Sequence, residues 1–304
     1  MKELVDYLSG RLTIENKSML EKDILLHRVL FKLMNESWFK EEFAFKGGTC
    51  IIKCYLGYYR FSEDLDFTYI QQEELANISQ KEVRRILSKK INEVLTLLSS
   101  VTLELGLDFK KDKANDRYVE IGGSNKFVTF KLWYHSELLN VEQFIKIQIN
   151  FFELITEIII EKNALSLYSK IPEKEMKLLF PEYIDILSDV SLKCYSLKEI
   201  LFEKIRAILT RRGLKSRDFI DVFLIMEKES VHLQKNKKKI IAKIQFMLRY
   251  DKYIQNISLF NSKKVMIGAE EKLMLLPLKK GFESFLDEFS MYLKELFDEI
   301  KISN

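Results

Sequence analysis

The sequence predicts an α+β protein. A mixed sheet with helices is expected over residues 1–165, followed by a mainly helical C-terminal domain over residues 166–304. Three observations carry this. Strand-like runs cluster between Ser100 and Phe152, and Ile145, Ile147, Ile149 and Phe151 alternate there with Lys146, Gln148 and Asn150. Helix-period segments lie before them. Beyond residue 165 the pattern becomes helical, with a soft boundary at 165–190 and no internal repeat. The 304 residues are 47% apolar and 31% charged, with only 3 prolines and 10 glycines, which is enough for real cores and not a loop-dominated chain.

In chain order, residues 17–42 read as one long helix, with Leu20, Ile24, Leu25, Val29 and Leu33 near a 3.6 period. "FAFKGG" reads as an edge of strand running into a turn. "TCIIKCYLG" is a short helix closed by Gly57. "LDFTYI" is a strand of β formers. Residues 79–99 place Val83, Ile86, Leu87, Ile91, Val94, Leu95 and Leu98 on one helix side. "SVTLELGLDF", "RYVEIGG", "KFVTFKLWYH" and "QFIKIQINFF" read as strands. "SLKEILFEKIRAILTRRG" is a helix ending at Gly213, and "SRDFIDVFLIMEKE" is another with Ser216 as N-cap. Residues 237–250 and 281–298 are expected to be helical.

"MKELVDYLSGRL" is charged and lacks a continuous apolar region, so no signal peptide is expected. No apolar run approaches the roughly 18 residues of a membrane span. Three cysteines make no disulfide framework, and Cys50 and Cys54, four apart in an apolar run, read as small core residues. His27, His135 and His232 have no metal spacing. These features favour a reducing, cytoplasmic location. The net charge of +4 is uneven: Tyr195–Asn304 carries 22 Lys/Arg against 15 Asp/Glu, while the preceding part carries 27 against 30. A basic back half fits a polyanionic partner. For "QKNKKKIIAK" alone, a solvated lysine surface is the weightier reading.

The stretch "FKGGTCIIKCYLGYYRFSEDLDF", Phe45–Phe67, holds the chemistry. On a strand Asp64 and Asp66 share a face while Leu65 and Phe67 turn to the core. Paired carboxylates repel, and a hard divalent cation relieves the repulsion. Gly47 and Gly48 permit close backbone approach, and Thr49 opens a helix whose free N–H groups favour phosphate. Each half is common alone; their order and separation make the combination specific.

Two later helices carry charges on apolar faces. At about 100° per residue, Lys204 and Arg211 fall on the apolar side of their helix, opposite Glu199, Glu203, Arg206 and Thr210. Lys204 there must snorkel or find an acid. Asp218 falls on an apolar stripe with Val222 and Ile225, and Asp221 follows. A pair with Lys204 or Arg211 and a helix-dipole acid are both open readings.

"KGGT", a helix, then "RFSEDLDF" resembles the AbiEii/AbiGii toxin-type nucleotidyltransferases of the DNA polymerase β-like superfamily. "KIRAILTR", Lys204–Arg211, and "RDFID", Arg217–Asp221, resemble that family's later motifs. The resemblance covers roughly residues 20–225. It implies a polymerase β-like N-terminal sheet, with the C-terminal domain completing an active-site cleft. It implies Asp64 and Asp66 as metal ligands for Mg²⁺ or Mn²⁺. Gly47, Gly48, Thr49, Arg60, Ser62 and Arg211 would contact nucleotide, Lys204 its phosphates, and Asp218 would support the site; Arg217 and Asp221 are secondary. The implied activity is transfer of NMP from an NTP to a hydroxyl, foremost the 3′ end of tRNA, blocking translation. The implied setting is a toxin–antitoxin or phage-defence system with a cognate antitoxin. One departure stands out. Superfamily enzymes often carry a third carboxylate on a later strand, but "FIKIQINFFE" offers Lys146, Gln148 and Asn150, with no acid until Glu153. That leaves one metal or two open. It also leaves two rivals: a protein or small-molecule acceptor, and a non-catalytic nucleotide- or RNA-binding module.

Overall fold

The computed structural model describes residues 1–122, 125–260, 273–277 and 279–302. The chain divides into two compact units. The first holds residues 1–153 and 159–194; the second holds 154–158 and 195–304.

The first unit is an α+β assembly on one seven-stranded mixed sheet. Its strands are β1 (Phe43–Lys46), β2 (Asp64–Tyr69), β3 (Val119–Gly122), β4 (Phe127–Ser136), β5 (Val141–Asn150), β6 (Ile159–Ala164) and β7 (Val190–Tyr195). Their order is β3-β4-β5-β2-β1-β7-β6. β2 runs antiparallel to β1 and parallel to β5, and β1 runs parallel to β7. Helices α1 (Lys2–Leu12), α2 (Lys17–Met34), α3 (Ser37–Glu42), α4 (Gly47–Ile51), α5 (Gln80–Leu105) and α6 (Glu173–Leu179) complete the unit.

Several expectations change here. β1 is an interior strand, not an edge, so all four of its residues are buried. The helix expected over 17–42 is two. α2 starts on Asn16, whose side chain accepts from Met19 N–H, and stops at Met34; α3 then restarts at Ser37. That break lets Phe39 stack on Phe43 at 4.5 Å and meet Phe67 edge-on at 5.2 Å. "SVTLEL" is not a strand but the last turns of α5, where Val101 and Thr102 stay on the buried face. Gly106, at φ 67°, closes the helix. Residues 166–194 cluster with the first unit rather than the second, because β7 pairs with β1 in the sheet interior. β6 and β7 have no counterpart in the sequence reading; at six residues each they are short, and β6 shows no alternation.

The second unit is helical: α7 (Leu197–Thr210), α8 (Ser216–Glu229), α9 (Leu233–Met247), α10 (Asp251–Ser258) and α11 (Phe282–Ile302). α7 stops at Thr210, short of Gly213, because Arg211 is extended. Ser216 is the first residue of α8 rather than its cap, which is Lys215. The expected polar face of α7 is also covered. Glu199 and Thr210 are fully buried, and Glu203 is nearly so. Lys243 of α9 pairs with Glu199 at 2.5 Å, and Asn256 of α10 donates to the Thr210 carbonyl at 3.0 Å. α7 therefore packs on most of its circumference, with Lys198 and Arg206 left partly exposed. The basic run is mostly spent on such pairs: Lys237 on Glu295 and Glu299, Lys239 on Glu157, Lys243 on Glu199. Among the described residues no helix is long and apolar enough to cross a membrane.

Candidate active site

The first set of candidate residues is built by the junction of β1, α4 and β2. β1 delivers Gly47 opposite Asp66, since Lys46 and Asp66 are register partners. Gly47 has φ 75°, and a Cβ on it would lie 2.2 Å from Asp66 Oδ2. A Cβ on Gly48 would meet Arg60 Nη2 at 2.7 Å and Ser62 Oγ at 3.2 Å. The turn therefore lies directly against Asp66, Arg60 and Ser62, and at Gly47 the φ of 75° and the approach to Asp66 require glycine.

Thr49 is buried. Its hydroxyl donates to the Asp64 carbonyl and lies 2.8 Å from Ser62 Oγ, tying α4 to the start of β2. Arg60 is also buried, and its Nη1 donates to Phe61 O at 2.7 Å. Asp64 and Asp66 stay half-buried on one face, while Leu65 and Phe67 are fully buried on the other. Beyond α4 the chain continues as a π turn, Ile52–Leu56, ended by Gly57 at φ 76°.

The neighbouring strand settles which β5 residues flank the carboxylates. Asp64 is in register with Lys146, Asp66 with Gln148 and Thr68 with Asn150. Lys146 Nζ lies 3.1 Å from Asp64 Oδ2. Gln148 donates to Thr129 Oγ1 at 3.3 Å. The position beside Asp66 thus holds an amide, not an acid. Glu153 is nearly buried; it is paired with Lys46 and accepts from Thr68 and Asn150. It anchors β1, β2 and β5 together.

Sequence reasoning missed Lys146 as a partner, although it shares the parity of Gln148 and Asn150. Periodicity gives faces, whereas register needs the pairing of strands 80 residues apart. A second missed group lies behind α4. Lys53 is 3.4 Å from Asp23 and 3.3 Å from His27 Nδ1, and also contacts the Tyr58 hydroxyl. Tyr168 donates to Asp23 at 2.9 Å. His27 Nε2 lies 2.9 Å from Ser188 O. Burial first, then the Lys53 ammonium, pulls His27 down to about 3, against the carbonyl bond. The ring is neutral at pH 7, with its proton on Nε2 and Nδ1 accepting from Lys53.

The second set lies in the second unit and is complete in itself. Lys204 Nζ is 2.6 Å from both Asp218 Oδ1 and Asp221 Oδ2. Arg211 Nη1 pairs with the other Asp218 oxygen. Both aspartates are buried and Lys204 nearly so, while the Arg211 side chain is 43% exposed. Burial pushes the Asp218 carboxyl up, but Lys204 and Arg211 outweigh it and hold it below the usual range. Both readings left open for Asp218 hold: it pairs with Lys204 and Arg211 and stands in the first turn of α8. This quartet balances two cations with two anions and presents its arginine to solvent.

No curated protein matches the chain. Among solved structures, JHP933 from Helicobacter pylori aligns over 94% of each chain with 15% identity and a TM-score of 0.44. A second H. pylori protein, provisionally described as a nucleotidyltransferase, aligns over 94% of this chain and 98% of its own, at 16% identity and a TM-score of 0.40. A family model, the nucleotidyl transferase AbiEii toxin of type IV toxin–antitoxin systems, matches residues 28–301. That span takes in the glycine turn, the paired aspartates, the Lys204 quartet and most of the chain beyond residue 225. The chain therefore belongs to the AbiEii nucleotidyltransferase toxin family.

Proposed function

We propose that this toxin transfers a nucleoside monophosphate from an NTP to an acceptor hydroxyl, foremost at the 3′ end of tRNA. The observation that carries the reading is the contact of the Gly47–Gly48 turn with Asp66, beside Asp64 on the same face. Two half-buried carboxylates on one face form an oxygen-donor set that suits Mg²⁺ or Mn²⁺, with the Lys146 ammonium, 3.1 Å from Asp64, as a competing cation. Asp64 and Asp66 would hold the ion. When bound, it supplies charge neutralisation at the phosphates.

The protein's own groups do the rest. The backbone N–H groups opened by Gly47 and Gly48 bind phosphate oxygens. Ser62 adds a hydroxyl, and Thr49 and Arg60 hold the turn and the strand start in place. Lys204, steadied by Asp218 and Asp221, and the exposed Arg211 are assigned to nucleotide phosphate. With Gln148 beside Asp66, the acceptor hydroxyl gets no carboxylate base from β5. A cognate antitoxin is the partner that membership of a type IV system implies.

The test is incubation with each of the four labelled NTPs, Mg²⁺, and either total RNA or lysate protein. Label at RNA 3′ ends is expected. Label in protein instead would move the acceptor, and intact NTP binding with no transfer at all would support a non-catalytic module.

A further inference from the structure

The chain has only three cysteines, and the fold brings all of them together. Cys50 lies in α4, Cys54 in the following π turn and Cys194 in β7. Their sulfur atoms lie within 4.8 Å of one another. Cys50 and Cys194 are fully buried, and Cys54 is 8% exposed at the rim. The Tyr55 hydroxyl lies 3.5 Å from Cys194 Sγ. None of these groups takes part in the proposed transfer chemistry.

We propose that Cys50, Cys54 and Cys194 form a binding site for one thiophilic d¹⁰ cation such as Zn²⁺. Spacing decides between this and oxidation. Zn–S bonds of about 2.3 Å separate three sulfurs by roughly 3.8–4.0 Å in tetrahedral or trigonal geometry, so small side-chain rotations suffice. A disulfide needs about 2.05 Å, a far larger approach, and an odd thiol would remain. Soft thiolates select soft or borderline ions, so the site discriminates against the Mg²⁺ that suits Asp64 and Asp66. The Tyr55 hydroxyl, 3.5 Å from Cys194 Sγ, adds a polar neighbour to the trio. Because Cys50 follows Thr49 directly, a bound ion would brace the helix that the glycine turn opens and clamp it to β7.

The test uses the full-length chain, reduced and metal-stripped, then loaded with Cd²⁺ and desalted. One Cd²⁺ per chain, an ultraviolet thiolate-to-cadmium charge-transfer band and a raised unfolding temperature are expected. Cys194→Ala should lose the band, whereas an Asp64→Asn/Asp66→Asn double variant should keep it. No retained ion in the wild type, or an undiminished band in Cys194→Ala, would overturn the proposal. Should Cys194→Ala fail to fold, Cys54→Ser decides: it must weaken the band, and an undiminished band with one ion per chain contradicts the site. These readouts do not depend on nucleotide transfer, so either reading can fail alone.

Discussion

At the scale of single residues, two glycines separate strain from function. Gly47 and Gly57 both have φ near 75°, but a Cβ on Gly57 would meet nothing within 4 Å, whereas one on Gly47 would strike Asp66. Gly57→Ala is expected to lower stability by about 1–3 kcal/mol, as its φ 76°, ψ −178° backbone is essentially glycine-only, and to leave transfer per folded molecule unchanged. Gly47→Ala should additionally cut transfer by about a hundredfold, because it displaces Asp66 by an ångström or so. Unfolding curves and transfer rates on the two variants check this. Lys146 makes a different prediction. Its ammonium competes with any cation for Asp64, in a pair exposed enough to be worth only about 0–1 kcal/mol. Lys146→Met should therefore lower the half-saturating Mg²⁺ by at most about fivefold. A raised requirement would mean that Lys146 helps bind the substrate instead.

At the scale of elements, α2 carries a titrating group that supports α4. His27 is buried neutral, facing Lys53 of the π turn and the Ser188 carbonyl, with Asp23 on the far side of Lys53. Its folded value of about 3 lies below its unfolded value near 6.5. Its contribution is therefore fully present above pH 6.5 and lost as pH falls toward 3. The loss is at most about 1.4 kcal/mol per pH unit, or about 2 kcal/mol by pH 5. His27→Gln keeps an acceptor for Lys53 without the titration, so its stability should stay flat from pH 6.5 to 5 while the wild type falls. The elements themselves were legible where periodicity was long: α2, α5, β5, α7 and α8 all appear in the sequence. Less legible was what lies beside them. β1 looked peripheral because four residues carry no sign of neighbours on both sides. Glu199 looked solvated because the wheel of α7 cannot show that α9 covers it. The shared face of Asp64 and Asp66 was readable from spacing, and an ion pair of Asp218 with Lys204 or Arg211 stood as one of two open readings, whereas the surroundings of Lys146, Glu153 and Cys194 required the strand pairing.

At the scale of the whole molecule, the chain leaves the first unit at residue 154, rejoins it at 159 and departs again at 195. Glu199 fastens the short excursion by accepting from Thr156 N and Oγ1 and from Glu157 N, while Lys243 balances its charge. Glu199→Ala would leave Lys243 with the Leu154 carbonyl and the more distant Glu203, 4.0 Å away, and is expected to cost about 2–4 kcal/mol, with faster proteolysis near residue 156. Undiminished protection there would show that Glu199 is dispensable. The central claim concerns the activity of the whole protein, and Asp64→Asn tests it with little change in size. With labelled NTP, Mg²⁺ and purified tRNA, the wild type should label RNA 3′ ends. The folded variant should lose this by about a hundredfold or more, since a metal ligand supports several kcal/mol of transition-state stabilisation. Equal transfer by Asp64→Asn and wild type would contradict the account.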